Sequence, residues 1–201
     1  MTKDARPVTK TDERILDSAE RLIQERGYNG FSYQDIADDL GIRKASIHYH
    51  FAGKAELGAA VMKRYRDRLA EAMAGAPLDD LPDQARLVWD ILEFYFSPYL
   101  TFAATPEKVC LCGALTGEYP ALPDDMQREV VGFIHDHEDW LAKLLAAGAK
   151  RGEFNATIDP VNAGRAIFCS LQGGLMMKRA TGEMPQLADV IETIKAWLEP
   201  A

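Results

Sequence analysis

No apolar run approaches the roughly eighteen residues that a membrane-spanning helix requires, and the polar N-terminus lacks the hydrophobic segment of a signal peptide. A cytoplasmic protein with no membrane contact is therefore expected. Cysteine is scarce and odd in number: three residues, without a secretion signal, argue for reduced thiols rather than a disulfide framework. H-E-x-x-H, G-x-S-x-G and Walker patterns are missing, and neither Gly173-Gly174 nor Gly148 forms a phosphate loop. No catalytic residue, metal or cofactor is expected. Strand-like alternation, internal repeats and low-complexity segments are also missing, which leaves an all-α fold. Finally, there is no excess of positive charge. A net charge of −8 repels a polyanion.

What is present changes that last point. The 201 residues are 47% hydrophobic and 27% charged, ordinary for a soluble globular chain able to bury a core. The charge is uneven. Residues 1–70 hold 13 Lys and Arg against 11 Asp and Glu, a balance of +2, and the remainder holds 10 against 20, a balance of −10. A mildly basic head on an acidic body fits a DNA reader better than the total does.

The head contains the most informative stretch, residues 31–54. Ser32 with Asp35 three residues on is a capping box, predicting a helix that buries Ile36, Ala37 and Leu40. Gly41 stands where that helix must stop. Ile42, Ile47 and Phe51 then anchor a second short helix. Between them, Arg43, Lys44, Ser46, His48, Tyr49 and His50 have no apolar face to hide on. That is the pattern of a helix-turn-helix whose second helix is offered to a major groove, where Arg43 and Lys44 could donate to guanine and His48 follows Lys44 by one turn.

Residues 12–68 resemble the DNA-binding domain of the TetR family of bacterial transcriptional regulators. The likeness rests on Phe31-Ser32, Asp35-Ile36-Ala37, Leu40-Gly41-Ile42 and Ser46-Ile47-His48-Tyr49-His50-Phe51, then Lys54 and Leu57. Position by position, the resemblance implies base reading by Lys44, Ala45 and His48. It implies phosphate contact by Ser46, Tyr49, His50 and Lys54, and backbone or adjacent-base contact by Tyr33 and Gln34. Arg43 departs from the family, where a small hydroxyl residue usually caps this helix; the departure weakens the cap and adds a candidate DNA contact.

The expected organisation is a flexible tail at 1–10, a helix-turn-helix domain at 11–53, and a helical effector-binding and dimerisation domain at 54–201, with about nine helices in all. A first helix from near Thr11 to Arg26 supports the two short ones. A connecting helix over 54–76 carries Lys63, Arg64, Arg66 and Arg68 on its outer face, and the proline-flanked stretch 76–82 marks the domain boundary. Further helices are predicted from Asp83 to about Ala104 (ended or kinked at Pro98), over 106–119, from Asp124 to Gly152, from Pro160 to Thr181, and from Gln186 to Leu198.

Three features of the body bear on function. Aromatic residues crowd its centre, and three of them, Phe94, Tyr95 and Phe96, are consecutive and cannot share one core stripe. Taken alone they read as core. The TetR resemblance implies a small-molecule inducer among the central helices, for which Trp89, Phe96, Tyr99, Phe102, Cys110, Phe133 and Trp140 are the candidate lining. Cys110 and Cys112, two residues apart on a helix, diverge and do not suit a shared metal or an intramolecular pair. They read as small buried residues, or, since Cys110-Leu111 resembles a segment of TetR members that sense electrophiles or oxidants, as a thiol switch. His135-Asp136-His137-Glu138-Asp139 lacks the i, i+4 His spacing of a metal site and reads as a charged helix face. The resemblance also implies a homodimer through the last two helices, with Ile167, Phe168, Leu171, Leu175 and Ile194 at the interface, reading a palindromic double-stranded DNA operator. A helical interaction adaptor and a cysteine hydrolase using Cys110 with His135 are the rival classes.

Overall fold

The structure is a computed structural model that describes residues 9–75, 78, 81–82, 86–105, 107–183 and 185–200. The tail expected at 1–10 and the boundary expected at 76–82 therefore lie largely outside the described residues, as does the predicted helix start at Asp83. The described residues form nine α-helices and one 3-10 turn and contain no strand. None of these helices is long and apolar enough to cross a membrane.

The head is built from α1 (Lys10–Arg26), α2 (Tyr33–Leu40) and α3 (Lys44–His50). Thr9 caps α1 through a capping box with Asp12, and Ser32 caps α2 through one with Asp35. Gly41 ends α2 in the left-handed region at φ 64°, a conformation that disfavours any side chain. The Ile42 amide then reaches back to the Ala37 carbonyl at 3.1 Å, closing the turn into α3. Ile15, Leu22, Ile23, Ile36, Ile47 and Leu57 are the apolar centre on which these helices meet.

α4 (Lys54–Ala74) leads into the body, made of α5 (Leu87–Ala103), α6 (Leu111–Thr116), α7 (Asp124–Lys150), α8 (Pro160–Thr181) and α9 (Pro185–Leu198). The long α7 is central: it packs most extensively on α8 and next on α4, and also touches α5 and α6. Gly164 lets α8 come close to α7, because a Cβ there would sit 3.2 Å from the Ala142 amide nitrogen and the Glu138 carbonyl oxygen.

Two sequence expectations are corrected here. The helix placed at 106–119 is only α6, followed by a 3-10 turn at Tyr119–Ala121. Before it the chain is extended at Cys110 (ψ 138°), and the Val109 amide donates to the Gln24 carbonyl of α1 at 3.4 Å. A tertiary contact has replaced the first helical turn. The arginines of α4 are also not a solvated outer face. Arg64 pairs with Asp17 (2.8 Å) and Glu20 (2.9 Å) on α1, Arg68 with Glu20, and Arg66 with Asp136 (2.5 Å) and Glu129 (3.4 Å) on α7. α4 is thereby fastened to the head on one side and to the body on the other.

Pro98 neither ends nor interrupts α5. The Phe94 carbonyl, which the missing N–H of Pro98 leaves open, accepts the Ser97 hydroxyl at 2.8 Å. The start of α5 has no cap of its own; the Glu153 carboxylate supplies one, accepting the Val88 amide at 3.0 Å and the Trp89 amide at 3.4 Å.

Candidate nucleic-acid interface and interior cavity

α3 is held by what lies beneath it. Ile47 is fully buried, and Phe51, just past the helix end, is 8% exposed. On the outer side Arg43, Lys44, Ala45, His48 and Tyr49 are exposed, Ser46 is half-buried, and Gln34 at the start of α2 is exposed beside them. Tyr49 stands out with 77% of its surface in solvent. Arg43 supplies no side-chain cap to α3, as its departure from the expected hydroxyl residue implied. An exposed cationic and polar helix face, carried on an apolar underside, can donate to base edges and phosphates together.

Three residues expected on that face are used elsewhere. Tyr33 is 5% exposed; its hydroxyl donates to the Phe51 carbonyl at 3.1 Å, its ring lies 4.7 Å from that of His48, and burial pushes its pKa up to about 12. His50 directs Nδ1 to Asp12 Oδ1 at 2.6 Å, so the carboxylate that caps α1 also holds the end of α3. The Lys54 ammonium donates to the Phe31 carbonyl and lies 4.3 Å and 4.8 Å from the ring centres of Phe31 and Tyr28. Its pKa is lowered by burial. All three orient the reading helix from behind or from its flank.

A second feature lies in the body. A cavity of about 630 Å³ sits among α4, α5 and α7, with Cys110 on its wall. That size suits a drug-sized ligand. Of the expected lining, Tyr99, Phe102, Cys110, Phe133 and Trp140 are there. Trp89 and Phe96 are not. Trp89 packs edge-on against Phe154, its ring centre 4.8 Å away, and donates Nε1–H to the Glu153 carbonyl at 3.0 Å. Phe96 is 1% exposed, in the protein core. The consecutive aromatics do point three ways: Phe94 is 71% exposed at the cavity mouth, Tyr95 lines the wall and Phe96 turns into the core.

Tyr65 and Leu69 of α4, Ile91 and Tyr95 of α5 and His137 of α7 also line the wall and were not anticipated. The available signal was spacing: His137 follows Phe133 and precedes Trp140 at one-turn intervals, on one face of α7. The polar groups are few. The Tyr95 and Tyr99 hydroxyls are 3.2 Å apart, and the Tyr65 hydroxyl lies 3.6 Å from Cys110 Sγ. His137 donates Nδ1–H to the Phe133 carbonyl at 2.9 Å, and burial lowers its pKa to about 4, keeping the ring neutral. Burial pushes the Cys112 thiol well up, which makes it a poor nucleophile. Among the described residues no three His, Cys, Asp or Glu side chains gather as a metal site would require.

The residues assigned to a dimer surface are corrected as well. Ile167, Phe168, Leu171, Leu175 and Ile194 are at most 6% exposed and belong to the interior of the single chain. Their size and apolarity suit the crossing of α8 with α7 and α9. The outward side of α8 instead carries Ala166, Cys169, Gly173 and Met177, and that of α9 carries Thr193 and Trp197.

An exposed polar reading helix on a three-helix head, joined by one helix to a body with an apolar cavity, defines a helix-turn-helix transcriptional regulator. The model described as bacterial regulatory proteins, tetR family, matches residues 15–61, and that described as tetracyclin repressor-like, C-terminal domain, matches residues 90–194. The chain belongs to the TetR family. Among its relatives, the biofilm operon icaADBC HTH-type negative transcriptional regulator IcaR of Staphylococcus aureus (strain Newman) is 28% identical over 138 residues, covering 65% of this chain and 73% of the relative. A TetR transcriptional regulator from Legionella pneumophila superimposes with a TM-score of 0.81 at 29% identity, covering 96% of this chain and all of that one. A TetR family regulator from Agrobacterium tumefaciens gives 0.83 at 27%, with 94% and 97% covered. Members of the family are DNA-binding regulators that take small-molecule ligands and are generally dimeric.

Proposed function

We propose that this regulator is a repressor, acting as a homodimer on a palindromic operator and released when an apolar or aromatic inducer fills the body cavity. The observation that carries the proposal is that one helix serves both sites. α4 begins four residues after α3 ends, and its Tyr65, Arg68 and Leu69 form part of the cavity wall. A ligand that prefers one position of α4 thereby prefers one spacing of the two heads, the differential binding that any such coupling needs. The DNA contacts proposed are Gln34, Arg43, Lys44, Ala45, Ser46, His48 and Tyr49. The negative regulator among the relatives supports the sign of regulation.

The test is footprinting on the DNA flanking the gene, with and without a compound that raises the melting temperature. Protection of a palindrome that the compound abolishes is the expected result. Binding to DNA that every stabilising compound leaves unchanged would reject the inducer mechanism. A second reading, a thiol trigger, is favoured by one placement: Cys110 is on the cavity wall, where an electrophilic ligand would meet it. Under that reading Cys110→Ser abolishes release by electrophiles while leaving release by inert compounds intact.

A further inference from the structure

The cavity wall is apolar except at a few places, and most of its polar atoms already have partners within the protein. Tyr95 and Tyr99 bond to one another at 3.2 Å, and the Gln172 side-chain amide is 3.5 Å from the Tyr99 hydroxyl. Gln172 Oε1 is buried without a partner, so the amide turned over would accept the Tyr99 proton and satisfy the chain Tyr95 to Tyr99 to Gln172. Tyr65 and Cys110 are within contact of each other at 3.6 Å. Trp140 Nε1–H, also on the wall, is buried without a partner, and His137 is different again. It lines the cavity, wedged between the rings of Phe133 (4.2 Å) and Phe168 (4.7 Å), and its Nδ1–H is committed to the Phe133 carbonyl. Nε2 is the hydrogen-bonding atom it has left, and with the proton on Nδ1 it is an acceptor.

Charge is confined to the mouth. Arg68 and Asp90 are exposed there, and Arg68 is already paired with Glu20 and laid 5.6 Å from the Tyr65 ring centre. Deeper in, the wall offers aromatic faces and a neutral imidazole, so an ion entering would lose its hydration without a counter-charge.

We propose that the cavity binds an uncharged aromatic molecule carrying a hydroxyl, its rings among Tyr65, Phe133 and Trp140 and its hydroxyl proton donated to Nε2 of His137. This rests on the reading of the cavity as the inducer site and specifies the chemistry of the occupant. The hydroxyl supplies the donor that Nε2 can accept, and a phenol or aryl alcohol is the simplest molecule that does so without bringing a charge.

Calorimetric titration of the full chain with matched naphthalenes tests this. 2-Naphthol is expected to bind about ten-fold more tightly than naphthalene, the advantage of one buried hydrogen bond. 2-Methoxynaphthalene, which keeps the oxygen but has no proton to donate, loses that advantage. 2-Naphthoate and 2-naphthylmethylammonium bind more weakly than naphthol. His137→Phe removes the difference between naphthol and naphthalene while retaining both. Should that variant not fold, the comparison of naphthol with its methyl ether in the unaltered protein still decides. Equal binding of naphthol and its ether overturns the His137 assignment and leaves the inducer site standing, and tightest binding by either ion overturns the ligand class. Absence of binding by all five compounds overturns this inference and the inducer site together. Naphthol that binds as expected yet fails to release DNA in a gel shift overturns the coupling alone.

Discussion

Individual side chains on the head divide into those proposed to read DNA and those that hold the reading helix, and exposure separates them. Lys44 has its charge in solvent on the outer side of α3, whereas the Lys54 charge is spent on the Phe31 carbonyl and two aromatic rings. Lys44→Ala is expected to cost about 1–3 kcal/mol of operator binding and to relax preference at one base pair. Lys54→Met should instead lower the stability of the head by about 1 kcal/mol, the usual worth of one hydrogen bond. It should leave the salt dependence of DNA binding unchanged, where loss of a phosphate contact would flatten the slope by about 0.9. Anisotropy titrations at several salt concentrations, alongside thermal melts, separate the two roles. In the cavity wall, His137 makes stability depend on pH. Burial lowers its pKa from 6.5 to about 4, so between those values the unfolded chain takes up a proton that the folded chain refuses. Stability is unaffected by this group above pH 6.5 and falls as pH drops toward 4, by up to about 3 kcal/mol. Urea unfolding of the native chain and of His137→Phe across that range should show the fall only in the former, once the shared carboxylate titration is subtracted.

Whole helices were legible where the signal is local. A capping box, a glycine stop and uninterrupted apolar stripes place α1 to α4 and α7 to α9 within a residue or two of where they lie. α6 was not legible, because the chain before Leu111 gives up helix for a bond between Val109 and α1 that no local pattern announces. The cavity was half legible for a related reason. Aromatic residues announce that a body is aromatic, but which of them meet a cavity depends on the neighbours: Phe154 claims Trp89, and α4 contributes Tyr65 from a helix that reads as a connector. The same kind of long-range contact ties α6 to the head. The Glu118 carboxylate, two residues past α6, accepts the Asn29 amide at 2.9 Å and the Asn29 side chain at 2.6 Å, and Arg179 of α8 donates to the Glu25 carbonyl at 3.0 Å. Since Cys110, at the other end of α6, lines the cavity, this short helix spans the distance from cavity to head. Glu118→Ala is expected to loosen the loop between α1 and α2, raising hydrogen exchange at residues 27–32. It should lower operator affinity about five-fold, roughly 1 kcal/mol of head positioning. Unchanged exchange there would assign the coupling to α4 alone.

At the scale of the molecule, an acidic body and a weakly basic head favour approach to DNA by the head, and in the proposed homodimer duplication would supply the affinity that a balance of +2 cannot. The place proposed for a second protomer rests on a contrast on α8. Its large apolar residues, Leu171 and Leu175 among them, are consumed inside the protomer, while the outward stripe is made of small or flexible side chains: Ala166, Cys169, Gly173 and Met177. A two-fold axis beside this stripe would bring two copies of α8 and α9 into close contact, with the 43%-exposed Trp197 covered by the partner. Gly173 is the position that discriminates, because a Cβ there would meet no atom of its own chain within 4 Å. Gly173→Arg should leave the protomer folded, with unchanged far-ultraviolet circular dichroism, yet place a charge and a long side chain where the second α8 must approach. Light scattering is expected to give a monomer. Operator affinity should fall by about 100-fold or more, since a lone head gives up the effective concentration that its twin provides. Leu171→Arg is the control, for a charge in the α7–α8 crossing unfolds the protomer itself. A Gly173→Arg protein that remains dimeric would move the interface off α8, and the spacing of the two heads would then have to be set by another surface.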